Sequence, residues 1–352
     1  MTRRTAFSSR ISTAGALAIV TALALTACAP AQTTADQSTA KGADTITVKL
    51  GVLGATGRST KEQLAGFAPT PLSFYYSEGL LESALADEGI ELGEIVSPAS
   101  GPASLTALQG GSVDVVVGVA DSPLLQAVAG GVDLKILATT SVNSDAWLVT
   151  GPNGPSDVAD LAGTTVGTSR GSYLDRYVIG VLAANGITQD EVHLADIQKP
   201  ADAVPALERG DLSAYSLPPQ IAIATRDQIG GSIISKASET NPELTATIFS
   251  VVSDPFLARH PDFPKRWNRV LQKAVDYTHE HSEAFIEYFT QAVGANLSDV
   301  KTYQNTDNYP DEPINDEIVA RLRSTLDYLV AGGYVKSGSV DIDTLLAPGI
   351  EP

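Results

Sequence analysis

Residues 113–119 read VDVVVGV, a nearly unbroken apolar run set between two pieces of helix punctuation. Before it, Gly110-Gly111 stops a helix that begins near Ser104; after it, Asp121-Ser122-Pro123 starts another. A strand with one wet face alternates, whereas a strand apolar at almost every position is buried on both faces. Helices must then cover both sides of the sheet, and helical crossovers make neighbouring strands parallel. This stretch therefore predicts an α/β fold built on a mostly parallel sheet.

The flanking sequence repeats the rhythm. Residues 45–52 (TITVKLGV) alternate and are β-rich, 72–88 carry helical spacing, and 94–96 read as a short strand. A helix over 123–129 is closed by Gly130-Gly131, and 134–139 is again a strand. A second unit of the same kind follows, with strands at 146–150, 165–168, 192–194 and 213–216. Its helices lie at 173–185, 201–209 and from Pro219. Residues 248–252 (IFSVV) are the last predicted strand. Beyond them the chain is helical: Pro264 to about 280, then 282–293, then 315–331, stopped by Gly332-Gly333.

Composition bounds the function. The 352 residues are 43% hydrophobic, ample for a core, and the length suggests two domains. The 41 acidic and 23 basic side chains leave a net charge of −18, the wrong sign for a nucleic-acid partner. A single cysteine excludes an internal disulfide, an iron–sulfur cluster and a Cys-rich zinc site. His279-Glu280-His281 does not place its two His on one helix face, and the acidic residues at 307–317 lack calcium-loop spacing. No nucleophile elbow, P-loop or dinucleotide fingerprint is present. Neither a metal, a cofactor nor a catalytic centre is expected.

The N-terminus reads as an export leader. Arg3, Arg4 and Arg10 precede an apolar stretch over 14–27, too short for a mature membrane span. It ends in Leu25-Thr26-Ala27-Cys28, which resembles the bacterial lipobox, where the Cys becomes the acylated N-terminus. That reading removes residues 1–27 and leaves 28–44 as a flexible tether. It holds the protein at the outer face of the cytoplasmic membrane through lipid on Cys28. Losing the leader takes away three Arg and no acid, which makes the remainder still more acidic.

Four stretches carry a family resemblance. Pro71-Leu72 with Ser77-Glu78-Gly79-Leu80-Leu81-Glu82 resembles the family's opening helix. Gly101, Ala107-Leu108, Gly111 and Asp114 fit its GxxxxxALxxGxxD segment. Residues 156–167 (SDVADLAGTTVG) are similar to its xxVxDLKGKxVA segment, and 328–341 resemble its ending. The chain is thereby identified as similar to the solute receptors of ABC importers for aliphatic sulfonates, taurine and nitrate. The resemblance implies a two-lobed type II periplasmic-binding fold. Each lobe is a mostly parallel sheet flanked by helices, and two crossing strands join them near 141–150 and 248–254. Lobe 1 would comprise 45–141 plus 254–352, and lobe 2 would comprise 142–253 with the hinge strands. It also implies a monomeric receptor rather than an enzyme. The receptor would deliver a small anion, an aliphatic sulfonate or taurine, to a permease with its ATPase. Nitrate, an aromatic carboxylate or a thiamine precursor are the alternative cargoes.

In open α/β sheets ligands collect beyond the carboxyl ends of the strands, where helix N-termini offer unpaired N–H groups and partial positive charge. The acidic surface repels anions, so attraction must be local. Three junctions qualify: Gly101 to Ser104, Asp121-Ser122, and Ser169-Arg170-Gly171-Ser172. Ser104, Ser122, Ser169 and Ser172 offer hydroxyls, the small residues from Gly101 allow close approach, Gly171 permits unusual backbone angles, and Arg170 offers a bidentate charge or is simply exposed. Tyr215 forms either an aromatic wall of the cleft or part of the core, and Trp147 suits hinge packing. The long segment 54–70 adds Thr56 as a further candidate.

Overall fold

The stretch that opens the sequence argument becomes β3 (Val115–Ala120), with Val115, Val116 and Val119 fully buried. The computed structural model describes residues 45–53, 69–98 and 100–350; the leader, Cys28, the tether and Thr56 lie outside the described residues. Asp114 lies just before β3, and Gly118 is the break inside the strand. It has φ 101° and lies where the pairing of β3 with β10 (Ala246–Ser253) slips, from Val119 opposite Phe249 to Val117 opposite Ser250. A bulge at such a site takes a residue free to adopt positive φ.

Two five-stranded sheets follow one plan. The first uses β1 (Ile46–Val52), β2 (Ile90–Val96), β3, β4 (Leu134–Ser144) and β10, in the order β2-β1-β3-β10-β4. The second uses β5 (Trp147–Thr150), β6 (Thr165–Thr168), β7 (His193–Asp196), β8 (Ala214–Leu217) and β9 (Ser232–Lys236), in the order β7-β6-β8-β5-β9. β1 is parallel to β2 and β3, and β6 to β7 and β8. One strand in each sheet is reversed: β10 against β3 and β4, β5 against β8 and β9. The reversed strand is in each case the one that has just arrived from the other lobe. A short crossing enters a sheet at the carboxyl ends of its parallel strands, so both lobes present those ends to each other.

The strand pairing moves the lobe limits read from the sequence. The first crossing is residues 145–146, between β4 and β5, so the first lobe runs on to Ser144 instead of stopping at 141. The second crossing is 237–245, and β10 lies wholly in the first sheet, whereas the sequence reading assigned residues up to 253 to the second lobe. The cause is β9 (SIISK), an edge strand with adjacent Ile233 and Ile234 and no clean alternation, which carries no readable strand signal.

The helices after β10 cover the first sheet. Trp267, Leu322 and Leu345 join Val48, Leu50, Val116 and Phe249 in its core, and the Trp267 indole N–H donates to Ser250 Oγ at 3.1 Å. Near the C-terminus, Ile136 N–H donates to Leu345 O at 2.7 Å and Ala347 N–H to Ile136 O at 2.9 Å. This pairing covers part of the exposed edge of β4. The second sheet buries Leu148 with Val166 and Tyr177 on one face, and Trp147 and Val149 with Tyr215 and Leu217 on the other. Among the described residues, no helix is long and apolar enough to cross a membrane.

Candidate functional site

The three predicted junctions meet between the lobes. Ser100 caps the helix Gly101–Gln109, Ala120 precedes the helix Asp121–Ala129, and Ser172 caps the helix Tyr173–Ala184. A Cβ on Gly101 would stand 3.2 Å from the Pro123 ring, so the two first-lobe junctions adjoin. The second lobe closes on them: a Cβ on Gly171 would stand 3.9 Å from Pro102 Cγ, and Gln126 Nε2 donates to Gly171 O at 3.3 Å. Gly171 has φ 76°, and any side chain there would strain the turn.

Many of the donors assigned to a ligand from sequence are already engaged within the chain. Ser122 N–H donates to Asp121 Oδ1 at 2.7 Å, Gly171 N–H to Asp175 Oδ2 at 3.0 Å, and Arg170 N–H to Asp196 Oδ1 at 3.2 Å. Ser104, inside its helix, donates its hydroxyl to Gly101 O at 2.6 Å. The Ser172 hydroxyl donates to Ser169 O at 2.7 Å and caps Leu174 N–H, and the Ser169 hydroxyl donates to Gln198 Oε1 at 2.9 Å. Asp121 is the first residue of its helix, and its carboxylate is neutralised by Arg176 at 3.4 Å. The buried Ser122 hydroxyl has no hydrogen-bond partner among the described residues.

Charges around the junctions are matched in pairs. Arg170 Nη1 stands 3.0 Å from Asp175 Oδ1, as a contact of opposite charges without hydrogen-bond alignment. Burial pushes the Asp175 carboxyl above its ordinary range; the Gly171 N–H and Arg170 pull it back, and Asp196 adds to the rise. What remains for a ligand is helix-end dipoles and the Ser122 hydroxyl, in surroundings whose formal charges largely cancel. Among the described residues, no group of three His, Cys, Asp or Glu side chains is arranged to hold a metal ion.

Tyr215 does not wall the cleft. Strand alternation turns it into the second-lobe core, 1% exposed, where its hydroxyl donates to Ile197 O at 2.8 Å. Burial, with Asp196 and Asp202 nearby, pushes that phenol up to about 12.

Trp147, which the sequence reading gave to hinge packing, is joined at the hinge by residues that reading passed over. Asp145, in the first crossing, accepts Ala146 N–H and Ser238 N–H at 2.9 Å each on Oδ1. Its Oδ2 accepts the Trp147 indole N–H at 2.6 Å and the Ser238 hydroxyl at 2.5 Å. Trp147 meets Tyr303 of the tail edge-to-face at 5.7 Å, with Lys236 Nζ 4.8 Å above its ring. Two cavities near the hinge, of about 390 and 310 Å³, are lined by Trp147 with Arg226 and Asp299, and by Asp145 with Ser238 and Lys301. Neither is lined by the junction residues. Arg176 did leave a trace in the sequence: a charge among Leu174, Tyr177 and Val178 on an apolar helix needs a buried partner.

The family described as NMT1/THI5 like matches residues 85–285, more than half of the chain. A Bacillus subtilis (strain 168) protein named "Putative aliphatic sulfonates-binding protein" is 27% identical over 285 residues, 79% of this chain and 84% of that protein. The alkanesulfonate-binding protein SsuA from Xanthomonas axonopodis pv. citri, bound to MOPS, aligns with TM-score 0.68 at 20% identity, covering 87% of this chain and 99% of its own. The periplasmic aliphatic sulphonate binding protein SsuA from Escherichia coli aligns with TM-score 0.64 at 21% identity, covering 87% and 98%. The two solved structures establish the likeness of fold, a two-lobed periplasmic-binding architecture, and with the span of the family match they lead to one statement: this chain belongs to the NMT1/THI5-like family.

Proposed function

We propose that this protein is the extracytoplasmic solute receptor of an ABC importer. It binds a small anion, an aliphatic sulfonate or taurine, between its lobes and hands it to a permease driven by an ATPase. It is a binding protein and not an enzyme. The observation that carries this reading is the closeness of the second-lobe turn at Gly171, where an added Cβ would stand 3.9 Å from Pro102 Cγ, together with its bond with Gln126, at the heads of three helices. Helix ends at such a junction attract an oxyanion without a free formal charge, which suits a chain whose net charge is −18. The B. subtilis relative named for aliphatic sulfonates supports the cargo class.

Ligand closes the lobes by binding the closed arrangement more tightly than the open one, with the crossings at 145–146 and 237–245 as the hinge. Gly101, Ser122 and the turn 169–172 line this proposed site. Thr56, outside the described residues, remains a candidate. We further read Cys28 as the lipid attachment, with 28–44 as a tether, and the receptor as a monomer. Calorimetry of the purified protein against taurine, methanesulfonate, longer alkanesulfonates, nitrate, sulfate, an aromatic carboxylate and a thiamine precursor tests the cargo. A sulfonate is expected to bind most tightly. If only a carboxylate or a heterocycle binds, the cargo assignment is wrong; if nothing binds, the receptor reading falls. Mass analysis of membrane-extracted protein is expected to find the acyl mass on Cys28.

A further inference from the structure

Asp121 and Arg176 form the one ion pair among the described residues in which both side chains are almost wholly covered, 3% and 4% exposed. They belong to different lobes. Asp121 opens the helix Asp121–Ala129 of the first, and Arg176 lies one turn beyond Ser172 on the helix Tyr173–Ala184 of the second. Each is locked by further bonds. Asp121 Oδ2 accepts the Thr325 hydroxyl at 3.0 Å and Thr247 N–H at 3.4 Å. Arg176 donates to Thr245 O at 2.9 Å, Glu243 O at 3.3 Å and Leu244 O at 3.5 Å, all in the second crossing, and to the Thr325 hydroxyl at 3.4 Å.

We propose that Arg176 is a positioning residue that neutralises Asp121 when the lobes close, making the head of the helix Asp121–Ala129 acceptable to an anion only in the closed arrangement. The proposal rests on the reading of the cleft as an anion site. Asp121 adjoins Ser122 at that head, and an unpaired carboxylate there opposes any incoming oxyanion in a water-poor space. The cancelling charge comes from across the cleft. Opening the lobes parts the two groups and gives each to water; closing them restores the pair. Removing Arg176 leaves a buried, uncompensated charge, which strongly disfavours the closed state.

The test uses the full chain with Cys28→Ser and spin labels on cysteines introduced at the exposed positions Gln109 and Ala184, one in each lobe. Inter-lobe distances are measured without ligand, and methanesulfonate and taurine affinities are measured by calorimetry. Arg176→Met is expected to lengthen the distance and to weaken the anion at least about tenfold. Arg176→Lys, which keeps the charge, and Asp121→Asn with Arg176→Met, which removes both charges, are expected to move both readouts back toward wild type. Unchanged distances in Arg176→Met, or no recovery in the double variant, overturn the proposal. If Arg176→Met does not fold, the double variant decides, because an open, weakly binding double variant overturns it. If the wild type binds neither anion, the cleft reading fails separately, and the distances still judge the Arg176 proposal.

Discussion

The carboxylate of Asp145 and the hydroxyl of Ser238 meet at 2.5 Å, joining the two segments that connect the lobes. With the Ser238 N–H on its other oxygen, Asp145 binds one crossing to the other. Asp145→Ala strands the Trp147 indole N–H and both Ser238 donors. The expected loss is about 2–4 kcal/mol of unfolding free energy in urea, with weaker ligand binding because the closed geometry is less defined. An unchanged urea midpoint contradicts this account of the hinge.

Trp147 should report lobe movement. It is one of two tryptophans, and its ring contacts Tyr303 of the tail and Lys236 of the second lobe; Trp267 is buried in the first-lobe core. Ligand addition is expected to change the emission of wild type and of Trp267→Phe, and to leave Trp147→Phe silent. Fluorescence titration of the three proteins checks it.

Tyr215→Phe separates core from cleft. The change leaves Ile197 O without its donor, so stability should fall by about 1 kcal/mol while calorimetric affinity stays at the wild-type value. A severalfold affinity loss would return Tyr215 to the binding surface.

Asp175 gives a pH signature. Burial raises its folded pKa above the ordinary value of 3.8. The folded state therefore binds the proton more tightly than the unfolded chain. Relative to Asp175→Asn, wild type should gain stability as pH falls through the raised pKa, and the gain is complete below the unfolded value. Above the raised pKa the difference should be flat. Urea midpoints of both proteins between pH 3.5 and pH 7 test the sign.

The sheets were legible where burial on both faces erases polar positions: β3 and β10 announce themselves as VVVGVA and IFSVV. The junctions were legible because Gly, Pro, Ser and Asp at helix starts have a local reason to be there. What the sequence hid is pairing at a distance. Nothing near Asp121 names Arg176, 55 positions on, as its counter-charge. Nothing near Arg170 says that Asp196, 26 positions on, accepts its backbone N–H. Composition argued that the cleft must attract anions locally, but it did not reveal that the chain's own carboxylates occupy several of the amides. Tyr215 was ambiguous because a strand's inward face reads the same from the core and from a cleft.

The position of β10 between β3 and β4 dictates an order of assembly. Until residue 246 is available, the first sheet has an empty slot between β3 and β4, and β4 has no strand partner on that side. Every strand of the second sheet, by contrast, lies upstream within residues 147–236. A chain that stops before residue 246 should protect the amides of β6 and β8 in pulse-labelling hydrogen exchange while leaving those of β4 open. The lobe that begins the polypeptide is then the last to be completed.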